Sequence, residues 1–465
     1  MRALILGAGE AGRFLAASLS EEAEVVLVDD DADALAEAEE TLDVQPVRGN
    51  ATHRAVLERA EARKADVAVA VTGHDAVNVA AAVMAKTVGV GSTIARVDDP
   101  GFYKGGQGLE RNVAGIDACI CASRLVGREL LRLVSAVEVS FSASLGGGAA
   151  HVALIGIDDS SPLRGESPTR LKVRMPSAEG SVVRAVLRGG TPRAASEIEA
   201  LEEGDRVLAV ASPLAVTALV QHSRAGLYDR VTLIGGGDVG LQLATMFASL
   251  GSNVRLVDTG RGRCEELAAK LGSNVVLHGD GTSLRFLRDE RIGLSDCVMA
   301  VTGSDEVNLM SSLLTRELGV ERTFALVHRP GYTSVYEHLG IAGTTSAHEV
   351  MAQTLHGLLP GRELVEASTI AGTDLELLEL RVPPLRRPVP VRSLPLGPGA
   401  LVVAVIVHDQ STRLRDPGER GGELHGGEHV VAIAPSHHRR DILRALRGLA
   451  KHKDGHKEPA KEDGA

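Results

Sequence analysis

The 465-residue sequence contains no tryptophan, four tyrosines and six phenylalanines. Stacking platforms for single-stranded nucleic acid are therefore poorly supplied, and the cores must be built from Ala, Val, Leu and Ile. Basic charge is also short. Fifty Lys and Arg against 61 Asp and Glu leave a net charge of −11, which gives no general attraction to nucleic acid or anionic lipid. No nucleic-acid partner is expected. Cysteine is limited to Cys119, Cys121, Cys264 and Cys297, with no CxxC pair and no metal-ligand spacing. Nothing points to a disulfide framework, and a reducing cytosol fits. Cys119 and Cys121 alternate along an apolar stretch and read as buried strand residues. Long apolar runs are missing as well: the longest, such as Ala400 to Val407, are strand-sized and too short to span a bilayer. The chain enters a strand pattern at once, without the basic, apolar and cleavage regions of a signal peptide. Any membrane role is expected to be peripheral.

Glycine, in contrast, is placed with a pattern. Gly7-Ala8-Gly9-Glu10-Ala11-Gly12 follows the apolar run Ala3-Leu4-Ile5-Leu6, and Gly235-Gly236-Gly237-Asp238-Val239-Gly240 follows Val231-Thr232-Leu233-Ile234. A second apolar run ending in an acid lies beyond each, Val25 to Asp29 and Val254 to Asp258. A lone GxGxxG is weak evidence; a strand before it, a helix after it and an acid beyond it supply the context that a dinucleotide site needs. The first glycine permits the tight turn, the second lets backbone approach a pyrophosphate, and the third packs helix against sheet. The helix N-terminus offers free N–H groups and a positive dipole to the phosphates. Asp29 and Asp258 are placed to accept hydrogen bonds from ribose hydroxyls and to disfavour a 2′-phosphate.

The halves stay similar past the glycines. Gly49-Asn50-Ala51-Thr52 corresponds to Gly279-Asp280-Gly281-Thr282, and Ala65 to Gly73 to Ser295 to Gly303. Asp75 and Asn78 match Asp305 and Asn308, Ile94 to Val97 matches Phe324 to Val327, and Pro100-Gly101 matches Pro330-Gly331. Such self-similarity marks duplicated domains. Within each copy strand and helix alternate, which implies right-handed crossovers and a parallel, Rossmann-like doubly wound sheet. The loops at Asn50, Thr72 and the glycine turn then converge on the carboxyl edge of that sheet, where ligands bind. Asp75 and Asp305 read first as helix N-caps. A segment of hairpin-like strands follows each copy, including His151 to Ile157 and Ser181 to Arg188, and Leu401 to Val407 with His429 to Ile433. These segments are expected to be small α+β domains.

The order of these parts resembles the TrkA family, the Trk potassium-uptake regulatory proteins, whose units are the RCK (or KTN) nucleotide-binding domain and the RCK C-terminal domain. The residues that carry the resemblance are Ile5 to Gly9, Val28-Asp29, Ala68 to Thr72 with Asp75 and Asn78, Ile94 to Val97, and their counterparts. Gly204-Asp205, echoed by Gly427-Glu428, adds to it. The resemblance implies RCK N-terminal Rossmann domains over 1–134 and 228–355 and RCK C-terminal domains over 138–223 and 365–449. The remaining stretch, 451–465, is charged, lacks a hydrophobic face and is expected to be a disordered tail. It implies a non-enzymatic cytoplasmic regulator, peripheral on the inner face of the plasma membrane. That regulator would be a homo-oligomer (a dimer or a tetramer ring) and would gate a potassium-translocating subunit of the TrkH/TrkG type. By the same resemblance Gly7, Gly9 and Gly12, within the turn Gly7 to Gly12 that includes Ala8, Glu10 and Ala11, cradle phosphates. Asp29 holds the ribose, Asn50 and Ala51 lie against the adenine edge, and Thr72 lines the cleft. In the second half the roles fall to Gly235, Gly237, Asp238, Val239, Gly240, Asp258, Asp280, Gly281, Thr302 and Arg329. The ligand is NAD(H) or, alternatively, ATP/ADP, because both share the adenosine-phosphate half that the motif reads.

The copies differ in two places. Asn50 stands where the second half has Asp280, and Asp98-Asp99, preceded by Arg96, stand where the second half keeps Arg329. Two rival readings remain open: an NAD-dependent oxidoreductase, and a nucleotide sensor acting on another cation transporter. The first would need an acid or base over the nicotinamide. The candidates His53, His74, His151, His278, His328, His338, His348 and His356 are scattered and carry no evident carboxylate partner. His437-His438 beside Arg439-Arg440 reads as surface rather than as a metal site.

Overall fold

The computed structural model describes the chain apart from residues 21–22, 100–108, 138, 172–181, 224–227, 273–274, 359–362, 371, 395, 409–411, 418–421 and 450–465. The expected disordered tail and the Pro100-Gly101 match lie outside the described residues. The chain forms two compact units, Met1–Pro360 with His408–Leu414, and Gly361–Val407 with Arg415–Ala465.

The first unit opens with β1 (Arg2–Leu6), α1 (Glu10–Ser20), β2 (Glu24–Asp29), α2 (Ala32–Thr41), β3 (Gln45–Arg48), α3 (Arg54–Arg59), β4 (Val67–Ala70), α4 (Asp75–Val88) and β5 (Ser92–Arg96). Next come β6 (Leu109–Val113), β7 (Ile116–Ile120) and the long helix α5 (Ala122–Ala136). The strand order is β3-β2-β1-β4-β5-β7-β6, parallel from β3 through β7. Ala3 to Leu6 are fully buried, as central strands covered on both faces require. The order reverses beside β1, so the first glycine turn lies at the switch point where such sheets open a crevice. One departure from an all-parallel sheet is the antiparallel pair β6–β7. Its two-residue loop, Ala114 (φ 51°) and Gly115 (φ 82°), is left-handed at both positions and so matches the twist of a hairpin.

The antiparallel sheet that follows has the order β11-β10-β12-β9-β8, built from β8 (Phe141–Leu145), β9 (Ala150–Gly156), β10 (Val183–Arg188), β11 (Thr191–Ala194) and β12 (Arg206–Ala211), and closed by α6 (Pro213–Ser223). Here Asp205, after Gly204 (φ 85°), accepts from both Nε and Nη2 of Arg188 at 2.8 and 2.7 Å and from the Glu202 N–H at 2.8 Å. A bidentate guanidinium pair of this kind holds a turn in one geometry.

His151 on β9 is fully buried, with Nε2 3.0 Å from the Ser142 hydroxyl. Burial, aided by repulsion from Arg132, pushes its pKa from 6.5 down to about 3. Protons therefore bind the unfolded chain preferentially. The full contribution of a neutral His151 is present above pH 6.5 and is lost as pH falls toward 3, at up to about 1.4 kcal/mol per pH unit. Urea unfolding at neutral and at mildly acidic pH measures this loss. His151→Gln should flatten the dependence, and equal slopes for the two proteins would contradict the assignment.

The second half repeats the plan with β13 (Arg230–Ile234), α7 (Asp238–Ser249), β14 (Asn253–Asp258), α8 (Arg261–Leu271), β15 (Val276–His278), α9 (Leu284–Asp289), β16 (Cys297–Ala300), α10 (Asp305–Glu317) and β17 (Thr323–Leu326). It then adds α11 (Thr333–His338), β18 (Gly343–Thr345) and α12 (Ala347–Leu358). The sheet order, β15-β14-β13-β16-β17-β18, is parallel throughout. The halves are joined by reciprocal docking: α5 packs on α7, and α12 packs on α1. Leu125, Leu130 and Leu131 of α5 share one apolar cluster with Leu243 and Phe247 of α7 and Met351 and Leu355 of α12. A Cβ on Gly127 would sit 3.5 Å from that of Gln242, so α5 meets α7 at a residue without a side chain. Phe14 and His348 face each other across the α1–α12 contact, ring centroids 5.6 Å apart.

After α12, β19 (Leu364–Thr369), β20 (Leu375–Arg381), β22 (Leu401–His408), β23 (Thr412–Arg415) and β25 (His429–Pro435) form an antiparallel sheet in the order β19-β20-β25-β22-β23. Beside it, β21 (Val389–Pro390) pairs with β24 (Glu423–Leu424), and α13 (Arg439–Leu449) follows β25. Glu428 accepts from Arg415 Nη2 at 2.8 Å and from the His425 N–H at 2.9 Å. Glu428, like Asp205, thus takes both a guanidinium and a backbone N–H, although its arginine comes from β23 at the sheet edge whereas Arg188 comes from β10 inside its sheet. Both Rossmann-like sheets are thus doubly wound and parallel over their main strands, and each is followed in sequence by a small antiparallel domain.

Candidate nucleotide sites

Each site is built at the end of the first strand of its half. Gly7 has φ 121° and Gly235 φ 115°, values a side chain would strain against. A Cβ on Gly12 would lie 1.8 Å from the Gly7 carbonyl oxygen, and one on Gly240 2.0 Å from that of Gly235. The third glycine of each fingerprint therefore lets the helix start directly on the strand end. The middle glycines differ: nothing lies within 4 Å of a Cβ placed on Gly9 or Gly237, so the backbone there faces open space. Glu10, Ala11, Asp238 and Val239 form the first turns of α1 and α7.

The acid at the tip of the second strand is held by backbone donors. The Ala8 N–H donates to Asp29 Oδ2 at 2.6 Å, and Asp31 N–H to Oδ1 at 2.9 Å. In the second half Gly236 N–H donates to Asp258 Oδ2 and Gly260 N–H to Oδ1, both at 2.7 Å. Each carboxylate thereby ties the glycine turn to the start of the next helix. A carboxylate has about four acceptor directions, so two backbone bonds leave it able to take ribose hydroxyls.

Asn50 and Asp280 make the same local turn. The side-chain oxygen of each accepts from the N–H and the hydroxyl of the threonine two residues on, at 2.9 and 2.7 Å for Asn50 and 2.8 and 2.7 Å for Asp280. The Thr282 hydroxyl, followed by its N–H, lowers the Asp280 pKa, so the extra charge of the second half is retained. Ala51 is buried. A Cβ on Gly281 would meet Ile234 at 2.3 Å, which explains glycine at that position.

Thr72 and Thr302 are fixed by Asn78 and Asn308. Asn78 Oδ1 accepts from the Thr72 N–H and hydroxyl, both at 2.7 Å, while its amide donates to Thr72 O and Arg96 O at 3.0 Å. Asn308 repeats all four bonds on Thr302 and Leu326. Asp75 and Asp305 do not serve as N-caps; those positions belong to His74 and Ser304. Asp75 Oδ2 instead accepts the N–H groups of Asp98 and Asp99 at 3.0 and 2.7 Å, and Asp305 those of His328 and Arg329 at 2.7 and 3.0 Å. The loops after β5 and β17 are thereby pinned in equivalent places. Arg329 reaches the Tyr332 hydroxyl at 2.9 Å.

Two features escaped the sequence reading. Arg263, at the start of α8, donates from Nε to the Gly236 carbonyl at 2.7 Å and from Nη2 to Asp238 at 3.2 Å, placing a guanidinium on the second glycine turn. Aligning the five residues after Asp29 with those after Asp258 would have exposed it. In the second unit, His429 Nδ1 lies 2.5 Å from Glu379 Oε1, both side chains buried, and Arg381 Nε donates to His429 Nε2 at 3.2 Å. The histidine–carboxylate pair is therefore inside an antiparallel sheet rather than on a glycine turn. The cysteine expectation needs one correction: Cys119 is on β7, but Cys121 holds the N-cap position of α5 rather than a strand. All four cysteines are buried thiols outside any disulfide.

A family model, TrkA-N domain, matches residues 3–122 and 231–347, one copy on each Rossmann-like sheet. Among curated relatives, the Trk system potassium uptake protein TrkA homolog 1 of Methanosarcina mazei is 32% identical over 87% of this chain and 92% of its own length. The TrkA homolog of Archaeoglobus fulgidus is 31% identical over 87% and 92%. Of solved structures, one described as "GsuK channel bound to NAD" covers 96% of this chain and 79% of its own, at 20% identity and a TM-score of 0.56, a likeness of fold. The chain belongs to the TrkA family of Trk potassium-uptake proteins.

Proposed function

We propose that this chain is the cytoplasmic, nucleotide-binding regulatory subunit of a Trk-type potassium uptake system, peripheral on the membrane and acting on a TrkH/TrkG-type translocating subunit as a homo-oligomer. The observation that carries the reading is the doubled turn, in which the third glycine touches the first at a distance that admits no side chain while the second faces open space. Gly7, Gly9 and Gly12, and Gly235, Gly237 and Gly240, would cradle phosphate at the N-termini of α1 and α7. Asp29 and Asp258 would take the ribose. Asn50 with Ala51, and Asp280 with Gly281, would flank the base, and Thr72, Thr302 and Arg329 would line the cleft. NAD(H) is the first candidate, since a protein of the same fold is described with NAD bound; ATP/ADP is the alternative. No helix among the described residues is long and apolar enough to cross a membrane, so the subunit would act from the surface. A ligand regulates only by binding two conformations unequally. Here it would do so by bridging the glycine turn to the loops pinned by Asp75 and Asp305.

Thermal unfolding with NADH, NAD, ATP and ADP tests the site. A ligand at a hundred times its dissociation constant adds about 2.7 kcal/mol of stability, and the reading fails if none of the four raises Tm. Gly9→Asp and Gly237→Asp sharpen the test. Each places a carboxylate in open space at the helix start, where Asp is tolerated or favourable. The unliganded Tm should hold within about 3 °C while the nucleotide-dependent rise disappears. Rubidium flux through a Trk-type subunit in vesicles should then depend on nucleotide with the intact chain and lose that dependence with the double variant.

A further inference from the structure

The helices α2 and α8 start at equivalent positions, with Asp31 and Gly260 as their N-cap residues. The residues after the ribose acid can therefore be compared one by one. Asp30, Asp31, Ala32, Asp33 and Ala34 in the first half face Thr259, Gly260, Arg261, Gly262 and Arg263 in the second. Three carboxylates stand against two guanidiniums. Arg263 lies on the glycine turn itself, through its bond to the Gly236 carbonyl; its counterpart is Ala34. On the far side of the turn the pinned loops differ in the same sense: Asp98 and Asp99 occupy the places of His328 and Arg329.

The remaining charges do not reverse this contrast. In the first half Arg13 is paired with Glu37 at 2.6 Å and Arg96 with Asp98 at 2.8 Å. In the second, Arg261 pairs with Glu265, and Arg263 with Asp238 and Glu266. Other positions work the other way: Asp280 stands for Asn50, Glu306 for Ala76 and Glu265 for Ala36, and Arg13, Arg48 and Arg96 of the first half stand where the second has Leu241, His278 and Leu326. The second turn therefore keeps a small excess of positive charge, concentrated at Arg263 and Arg329. Like charges at the rim of a site repel a ligand, and opposite charges raise its affinity and rate of encounter.

We propose that the two turns select nucleotides of different charge: the second takes the highly anionic nucleoside triphosphate, and the first takes the less charged dinucleotide. The proposal rests on the nucleotide reading above and names the class of ligand for each of its two sites. A triphosphate carries roughly two more negative charges than a dinucleotide pyrophosphate. Its terminal phosphates, extending from the turn toward the pinned loop, meet Arg329 in one half and Asp99 in the other. Arg263 and Arg329 are the specificity-determining residues of the second site; Asp99 and the Asp30–Asp33 run are those of the first.

Photolabelling of the full chain with 8-azido-ATP, followed by peptide mapping, reads the two sites separately. Saturable label should fall on peptides from 228–355 at least about tenfold above those from 1–134, and NADH should displace label from the first half more readily than from the second. The pair Arg263→Ala with Arg329→Asp should cut labelling of the second half about tenfold. The pair Ala34→Arg with Asp99→Arg should bring label to the first half. Equal labelling of both halves, or variants that leave the ratio unchanged, would overturn the proposal while the nucleotide reading stands. No saturable label together with no thermal shift from any nucleotide would instead sink the nucleotide reading.

Discussion

Gly12→Ala and Gly240→Ala each lower the melting temperature of the half of the chain that carries the change by about 6–12 °C, corresponding to a loss of roughly 3 kcal/mol. The added methyl would lie 1.8 Å from the Gly7 carbonyl oxygen in one case and 2.0 Å from that of Gly235 in the other. Both partners are backbone, on a strand end and a helix start, so no side-chain rotamer can relieve the clash. The helix must move away from the sheet, and its N–H groups move with it. Nucleotide-dependent stabilisation should be lost at the altered half and kept at the other. This sets the third glycine apart from the second, where even Asp finds room. Differential scanning calorimetry of Gly12→Ala, Gly9→Asp and the parent chain separates the two effects. A melting temperature unchanged by Gly12→Ala would mean that α1 is not seated as described.

Asn78→Ala and Asn308→Ala are expected to cost about 3–5 kcal/mol each. Both residues are fully buried, and each makes four hydrogen bonds that join the threonine two residues beyond the fourth strand of its half to the end of the fifth. Truncation leaves the Thr72 N–H and the Thr72 and Arg96 carbonyl groups without that partner, and each unsatisfied buried group costs about 1–3 kcal/mol. Asn308→Asp keeps the acceptor but sets a carboxylate against two carbonyl oxygens, so it should be no milder. Urea unfolding of the single variants measures the cost, and a loss below about 1 kcal/mol would show that the asparagine is dispensable. Because the same residue positions Thr72 or Thr302, nucleotide affinity should fall alongside stability.

Much of this arrangement was legible in residue order. The alternation of apolar runs with helical patterns gave two doubly wound sheets, and the fingerprints placed both turns. The acid at the second strand tip was legible as an acid but not in its structural task, since a backbone bond from Ala8 or Gly236 is set by the turn's conformation rather than by residue type. Asp75 and Asp305 read as caps because local spacing shows only the near neighbour; their partners lie 23 and 24 residues away in the chain. The β6–β7 hairpin was missed because Ala114 takes a left-handed conformation without the Asn or Gly that announces such a turn. His429 and Glu379, fifty residues apart, meet only through the pairing of β20 with β25.

The reciprocal seating of α5 on α7 and of α12 on α1 has the form of an isologous dimer folded from one chain. Two identical subunits meeting this way would carry the same residue at both turns, and any substitution would appear twice. Covalent fusion removes that constraint while keeping the geometry. One half can hold Ala34 where the other holds Arg263, at fixed one-to-one stoichiometry and with no second gene product to assemble. Broken symmetry is therefore available to this chain at no structural cost, and the charge difference between its two turns is the form that freedom has taken.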